Sequence, residues 1–378
     1  MSKTILRRHL YVAALSSLML AACAGAPKAP PKYDSASTPE AQAATFIGTN
    51  KDVKRMPSVS KVAVLSCNVM FAHAASAHAG TGSGILGDVG NSTRVEAKVS
   101  VFYTLVGLTD ADYQRMTDQI CANAEQRLAG SGFDLVPRAT LMANEKYQAL
   151  QAAGRETPFE YKAPGAGKSS RYMVYTVTGG SLYDPRYIGS MSGIGQAFKA
   201  AKGTSADQIA TALMDQLGAT GVNINLLVDF AELQSSGHGR GIQLADTNKA
   251  EVGGEVGLSV SGDIAFRVNE GLKCWDRFGN RECMVENGYT PTLASTNPVL
   301  MNEQFYRQVS DTTTTGDKAV AVLTKGLAVL SAMGGVKGSS QSTTRYEVEV
   351  EPAQFGDVAS RGAQSFIDMA LITAKSHR

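Results

Sequence analysis

Four stretches of this chain alternate apolar and polar residues at a spacing of two, and no other feature narrows the fold as much. Val95, Ala97, Val99, Val101, Tyr103 and Leu105 share one phase. Val222, Ile224, Leu226, Val228 and Phe230 share another. Val256, Leu258, Val260, Ile264, Phe266 and Val268 form a third set, and Tyr346, Val348 and Val350 alternate with Arg345, Glu347 and Glu349. Successive side chains of a strand point to opposite faces, so each run predicts a strand with one face buried and the other toward water or a partner. Lys61–Leu65 predicts a further short strand, and the small, Gly-rich stretch from Phe71 to Asn91 predicts a loop carrying His73 and His78.

Helical periodicity falls between these strands. Thr109 is a candidate N-cap with Asp112 three residues on; Tyr113, Met116, Ile120, Ala124 and Leu128 then line one side, and Gly130 is placed to end the helix. Phe133–Arg138 predicts a short strand and Ala139–Ala153 a helix. Ser205 opens a helix that stops at Gly218, and Val358–Ala374 is amphipathic. Strands interleaved with helices predict an α/β (α+β) fold, a mixed sheet with helices packed on it.

The N-terminus carries an address. Lys3, Arg7 and Arg8 precede an apolar run, Leu10–Leu20, too short to span a bilayer, which ends in Leu20-Ala-Ala-Cys23. This string is similar to a lipobox, which predicts cleavage before Cys23 and lipid on its thiol. Ala24 rather than Asp follows, which favours the outer membrane, with the body facing the periplasm. Cleavage removes three basic residues and no acidic one, so the net charge of +2 falls by three to −1. No basic excess remains to neutralise phosphates, and nucleic acid is not an expected partner. Residues 24–57, rich in Ala, Pro, Lys and Ser, predict a flexible tether.

Four further cysteines would meet an oxidising compartment. Cys274 and Cys283 flank a turn at Phe278-Gly-Asn280, and a hairpin there predicts a disulfide. Cys67, at a strand end, and Cys121, on a helix, either pair or stay as two buried thiols; the sequence leaves both open. No spacing of Cys and His suits zinc, and no metal or cofactor is expected.

Three catalytic lookalikes lack their context. Gly82-Ser-Gly-Ile-Leu-Gly87 lies well past a strand rather than at its tip, as a dinucleotide site requires. Gly165-Ala-Gly-Lys-Ser169 has Lys162 where a P-loop needs Gly, and reads as a turn before the strand Arg171–Val177. Ser58-Val-Ser-Lys61 lies where the tether becomes a strand, not on one helical turn. His238 sits between glycines and His377 near the end. The expectation is a protein that is not an enzyme.

Phe133-Asp-Leu-Val-Pro-Arg138 followed by Leu141-Met-Ala-Asn-Glu-Lys146 is similar to the short strand ending in Arg, and the helix with an Asn-Glu pair, of the curli secretion channel family of outer-membrane lipoproteins, and later segments resemble that family in order. Gly218-Ala-Thr-Gly-Val222 running into Asn223–Glu232 is similar to its next strand, and Gly237-His-Gly-Arg-Gly241 to the glycine-rich entry of a membrane hairpin. Val256–Gly271 is similar to its amphipathic strand pair, and Asn297-Pro-Val299 with Met301–Val309 to a later helix. The resemblance spans residues 133–310. It implies an α/β periplasmic domain that assembles into a ring, with extended hairpins that close a pore and export unfolded fibre subunits. Departures are insertions at 71–108 and 154–204, the Cys274/Cys283 pair, the stretch Ala319–Tyr346, and four adjacent polar residues, Asp246–Lys249, inside the expected hairpin.

The expected organisation is a signal peptide at 1–22, a lipidated tether at 23–57, an α/β domain at 58–312, and a C-terminal apolar segment, strand and helix at 313–378. The expected role is export or assembly of envelope material through a homo-oligomeric ring. The alternative is a tethered accessory lipoprotein that binds and regulates another envelope protein. Leu227 among Asn223, Asn225 and Asp229, and Phe102 and Val106 beside Val101, put apolar residues on second strand faces, which predicts an interface.

Overall fold

The computed structural model describes residues 31–80, 98–164, 168–182, 203–236, 249–268, 272–277, 280–285, 289–313, 322–324, 327–333 and 341–378. It is a mixed α/β structure, and among these residues fourteen strands join one mixed sheet. The folded body begins at Tyr33.

Residues 33–57 are therefore not a free tether. Thr38 caps helix α1 (Pro39–Phe46), which leads into β1 (Ile47–Thr49) and a 3-10 helix (Lys51–Ser58). Phe46 and Met56 are fully buried, and the Tyr33 hydroxyl donates to Ser365 Oγ at 2.9 Å. The sequence hid this segment because its few large apolar residues, Tyr33, Phe46, Ile47, Val53 and Met56, follow no helical or strand period.

The next surprise is length. β2 runs from Lys61 to Gly80, so Phe71–Gly80, expected to be loop, is strand. It returns as β3 (Lys98–Val106), antiparallel to it. Helix α2 (Asp110–Gly130) opens with the expected capping box of Thr109 and Asp112 and buries Tyr113, Met116, Ile120, Ala124 and Leu128. It ends at Gly130, as expected, and the chain reverses two residues on at Gly132, which has φ +85°. The short β4 (Asp134–Leu135) follows. The single helix expected over 139–153 is two, α3 (Arg138–Met142) and α4 (Glu145–Ala152), because the Asn144 side chain accepts from the Lys146 and Tyr147 amides and starts a new helix. β5 (Phe159–Pro164) and β6 (Lys168–Thr176) pair with each other, and β6 pairs with β2.

Helix α5 (Gly203–Leu217) ends at Gly218 with φ +57°, as expected. The chain then makes two more long strands, β7 (Thr220–Ser236) and β8 (Lys249–Arg267). β9 (Leu272–Arg277) and β10 (Asn280–Val285) form a separate two-stranded sheet. β11 (Thr292–Ser295) and β12 (Val299–Leu300) pair with β8. The helix implied for Met301–Val309 is absent: Phe305 is buried against Phe355, and β13 (Gln308–Asp311) begins at once. The apolar run near the C-terminus yields β14 (Val322–Thr324) and β15 (Leu327–Met333), then β16 (Gln341–Glu349) and the long helix α6 (Pro352–Ser376).

β2 organises all of this. Its lower half pairs with parallel β7, from Val62 opposite Thr220 to Phe71 opposite Val228. Its upper half pairs on the same edge with β3, from Ala74 opposite Thr104 to Gly80 opposite Lys98, while the other edge is held by β4 at Lys61–Val62 and by β6 from Asn68 to Ala77. The sheet forks between. Both strands are irregular at that level, β2 between Ala72 and Ala74 and β7 between Asp229 and Ala231. Below the fork the sheet is the middle of three layers. Val62 and Val64 belong to the core shared with α1, α2 and α6, while Ala63 and Leu65 face Leu150, Leu213 and Met214 of α4 and α5. Above it, β8 lies across β3: the buried Tyr103 phenol donates to Gly254 O at 3.1 Å and its ring stacks on Tyr346.

Candidate functional site

Cys23 lies outside the described residues, as do Gly82–Gly87, Gly165–Gly167 and Gly237–Gly241. Cys67 and Cys121 are joined by a disulfide, the alternative the sequence left open. Cys67 lies inside β2 rather than at a strand end, and the bond ties α2 to the middle of the sheet. Cys274 and Cys283 stand directly opposite in the β9–β10 register. Facing positions of an antiparallel pair hold Cβ atoms about 4.5–5.5 Å apart, near disulfide range.

The Ser/Lys lookalike is committed to the backbone. Ser58 Oγ donates to Arg55 O at 2.7 Å, and Lys61 Nζ donates to Leu217 O at 2.9 Å, capping the C-terminus of α5. A cavity of about 340 Å³ opens between Ser60, Lys61, Asp215 and Thr220. His73 is a strand residue at the fork, 3.1 Å from Glu160, whose carboxylate also lies 3.6 Å from Arg171. Burial lowers the His73 pKa below its ordinary value and Arg171 lowers it further, against the pull of Glu160. His78 is also on β2, and exposed.

What pattern reading missed is a polar row inside the sheet. Thr176, Asn68, Asn225 and Asp263 are successive cross-strand neighbours on β6, β2, β7 and β8. Asn68 Nδ2 donates to Asn225 Oδ1 at 2.8 Å, and Asn225 Nδ2 donates to the Asp263 carboxylate at 2.9 Å. One level below, Ser66 Oγ donates to Asn223 Oδ1 at 2.7 Å, and further down Arg267 donates to Thr211. Asn68, Asn225 and Asp263 are each at most 2% exposed. Above the row, at the fork, the Asp229 carboxylate accepts from the Phe230 and Ala231 amides, where β7 loses β2 as a partner. Burial raises the Asp229 pKa, and these two amides oppose the shift.

Comparison of the chain with protein-family models, curated proteins and solved structures gives no match. The geometry has to speak alone. The row is a chain of amides hydrogen-bonded in series to a carboxylate, with Asn68 Oδ1 left buried without a partner among the described residues, and it is suited to fixing the register of three strands. Among the described residues no three His, Cys, Asp or Glu side chains gather as metal ligands. The row was present in the sequence as the other phase of the alternation: Ser66 and Asn68, Asn223 and Asn225, Asp263. Only the register shows that they meet.

The second-face apolar residues that predicted an interface are partly covered by the chain itself. Leu227, Phe102 and Val106 are half-buried, and the Arg345 guanidinium lies over the Phe102 ring at 4.8 Å. Among the described residues Met142 is the exposed large hydrophobic.

Proposed function

We propose that this is a lipid-anchored protein of the outer membrane, acting without catalysis in export or assembly of envelope material through a homo-oligomeric ring of curli-channel-like type. The observation that carries the reading is the pair of long hairpins. β2, β7 and β8 have 20, 17 and 19 residues, where a strand usually has 3–10. β2 and β7 are parallel, so both hairpins leave the three-layer body in one direction. Glu232 and Glu255, opposite each other and exposed, keep that level of the second hairpin in water.

The folded N-terminal segment, residues 33–57, supports this reading over that of a tethered accessory lipoprotein. Ten residues lead from Cys23 to Tyr33, a covalent reach of at most about 33–36 Å. A body lipidated at Cys23 then stays beside its membrane, which suits work at that surface better than a long reach to a distant partner. The Cys67–Cys121 bond supports a history in an oxidising compartment. The decisive experiment is intact mass spectrometry and light scattering of the detergent-extracted protein. A diacylated N-terminus at Cys23 and a particle of many copies are expected. A lipidated monomer at all concentrations would transfer the role to the accessory reading.

A further inference from the structure

We infer that the Cys67–Cys121 bond is made and broken only while α2 is lifted off β2, so that the bond stores the redox state under which the chain closed. Both cysteines are 1% exposed. Cys67 is held in the sheet by β7 on one edge, where it faces Ile224, and its carbonyl accepts from the Val177 amide. On α2, Cys121 lies between the buried Thr117 and Ala124, and the Phe71, Tyr113 and Tyr175 rings close the neighbouring contact between helix and sheet.

Chemistry makes this burial consequential. To form the bond, one cysteine thiolate attacks an external disulfide, carried by a protein or a small molecule, and expels a thiolate. The second cysteine thiolate then attacks the mixed disulfide and expels the other. The two protons given up by the cysteines end on the two expelled thiolates, so one bond is gained here and one external disulfide becomes two thiols. Reduction runs the same steps backwards. Either way the intermediate carries a foreign group on one sulfur, and the docked helix leaves no room for it. Oxidation must therefore precede docking. A chain that closes in a reducing compartment keeps two shielded thiols, and one that closes where disulfides are available keeps the bond even if reductant later arrives. The loop so fixed spans 54 positions and contains β3 and the part of β2 from Asn68 onward.

The test needs no knowledge of a partner and is independent of the export reading, because it uses the purified full-length protein. Oxidised protein is treated with dithiothreitol at rising urea and free thiols are trapped with a maleimide. Reduction should be slow in buffer and accelerate in step with opening. Thr109→Ala, which removes the cap of α2, should speed it roughly fivefold by favouring the lifted helix. Conversely, protein refolded under reductant and transferred to oxidised glutathione should gain the bond only slowly until urea is added. Reduction in buffer at the fully unfolded rate, fast oxidation of the refolded protein, or no effect of Thr109→Ala would each overturn the inference.

Discussion

Below its fork the sheet is covered by helices on both faces; above it, the same central strand belongs to two layers of strands. The two halves of β2 show what this does to a sequence. From Val62 to Phe71 both faces are buried, so the residues are apolar almost without interruption. From Ala74 to Ala79 the large residues belong to β3, and β2 contributes alanines. The lower half does not alternate, and the upper half does so only with alanines, Ala75, Ala77 and Ala79 being buried between the more exposed Ser76 and His78. The halves also differ in how they are held: a covalent bond in the body, close ring packing above.

The sharpest way to break that comparison is to cut the bond. Replacing Cys67 and Cys121 together with Ala should lower the stability of the oxidised protein by about 4 kcal/mol, the chain-entropy figure for a loop of this length. Urea unfolding of the double variant against the parent, both never exposed to reductant, measures it. A loss below about 1 kcal/mol would mean that helix packing alone holds α2.

The matching test above the fork uses Gly254. A Cβ there would lie 2.6 Å from Tyr103 Cε2 and 2.9 Å from Leu233 Cδ2. Gly254→Ala should cost about 1–3 kcal/mol through overpacking. The cost should shrink in a Tyr103→Ala background, where the ring is gone, whatever that background costs by itself. Additive losses in the double variant would show that Tyr103 and Gly254 are not in contact across the two layers.

These residues also explain what could be read in advance. β3, β7, β8 and β16 were legible because an apolar phase alternates with a largely polar one, Ser, Thr or Glu on β3, β8 and β16 and Asn223, Asn225 and Asp229 on β7. Helix α2 was legible from Thr109 to Leu128 because cap and apolar spacing agree. β2 above Phe71 was not, since small residues look alike in a loop and in a strand that lets a second layer approach. The fork could not be seen at all, because it depends on which of two strands occupies one edge. The polar row had the same difficulty: Asn68, Asn225 and Asp263 are far apart in the chain, and only their register makes them one feature.

A smaller effect sharpens the body's side. Thr109→Ala removes the side-chain half of the capping box, leaving the backbone N–H of residue 109 to donate to Asp112, and should cost about 1 kcal/mol. Asp112 depends on the same contact: hydrogen bonds from Thr109 hold its pKa below 3.8, so the stability it adds is present above that pH and is lost as pH falls through the folded value. The variant should therefore be less sensitive to strong acid than its parent. Equal acid sensitivity would remove Asp112 from the account.

The smallest effect lies at the fork itself, in His73. Its folded pKa is below 6.5, chiefly through burial and then through Arg171, with Glu160 pulling the other way. The unfolded chain therefore takes up this proton first. As pH falls through 6.5 the unfolded state gains protons that the folded state refuses, and stability declines until the folded pKa is passed. Asp229 and Glu125 have the opposite sign, since burial raises both and the folded state binds their protons more tightly as pH drops. The total pH curve mixes these contributions, but the difference between parent and His73→Gln isolates one. That difference should be flat above about pH 7.5, where the histidine is neutral in both states given an ordinary pKa near 6.5. It should then move in favour of the variant as pH falls toward 5. A difference that stays constant across this range would mean that His73 reaches solvent freely at the fork. The two bulges would then not close over it, and the boundary between the two halves of the sheet would be looser than its hydrogen bonds imply.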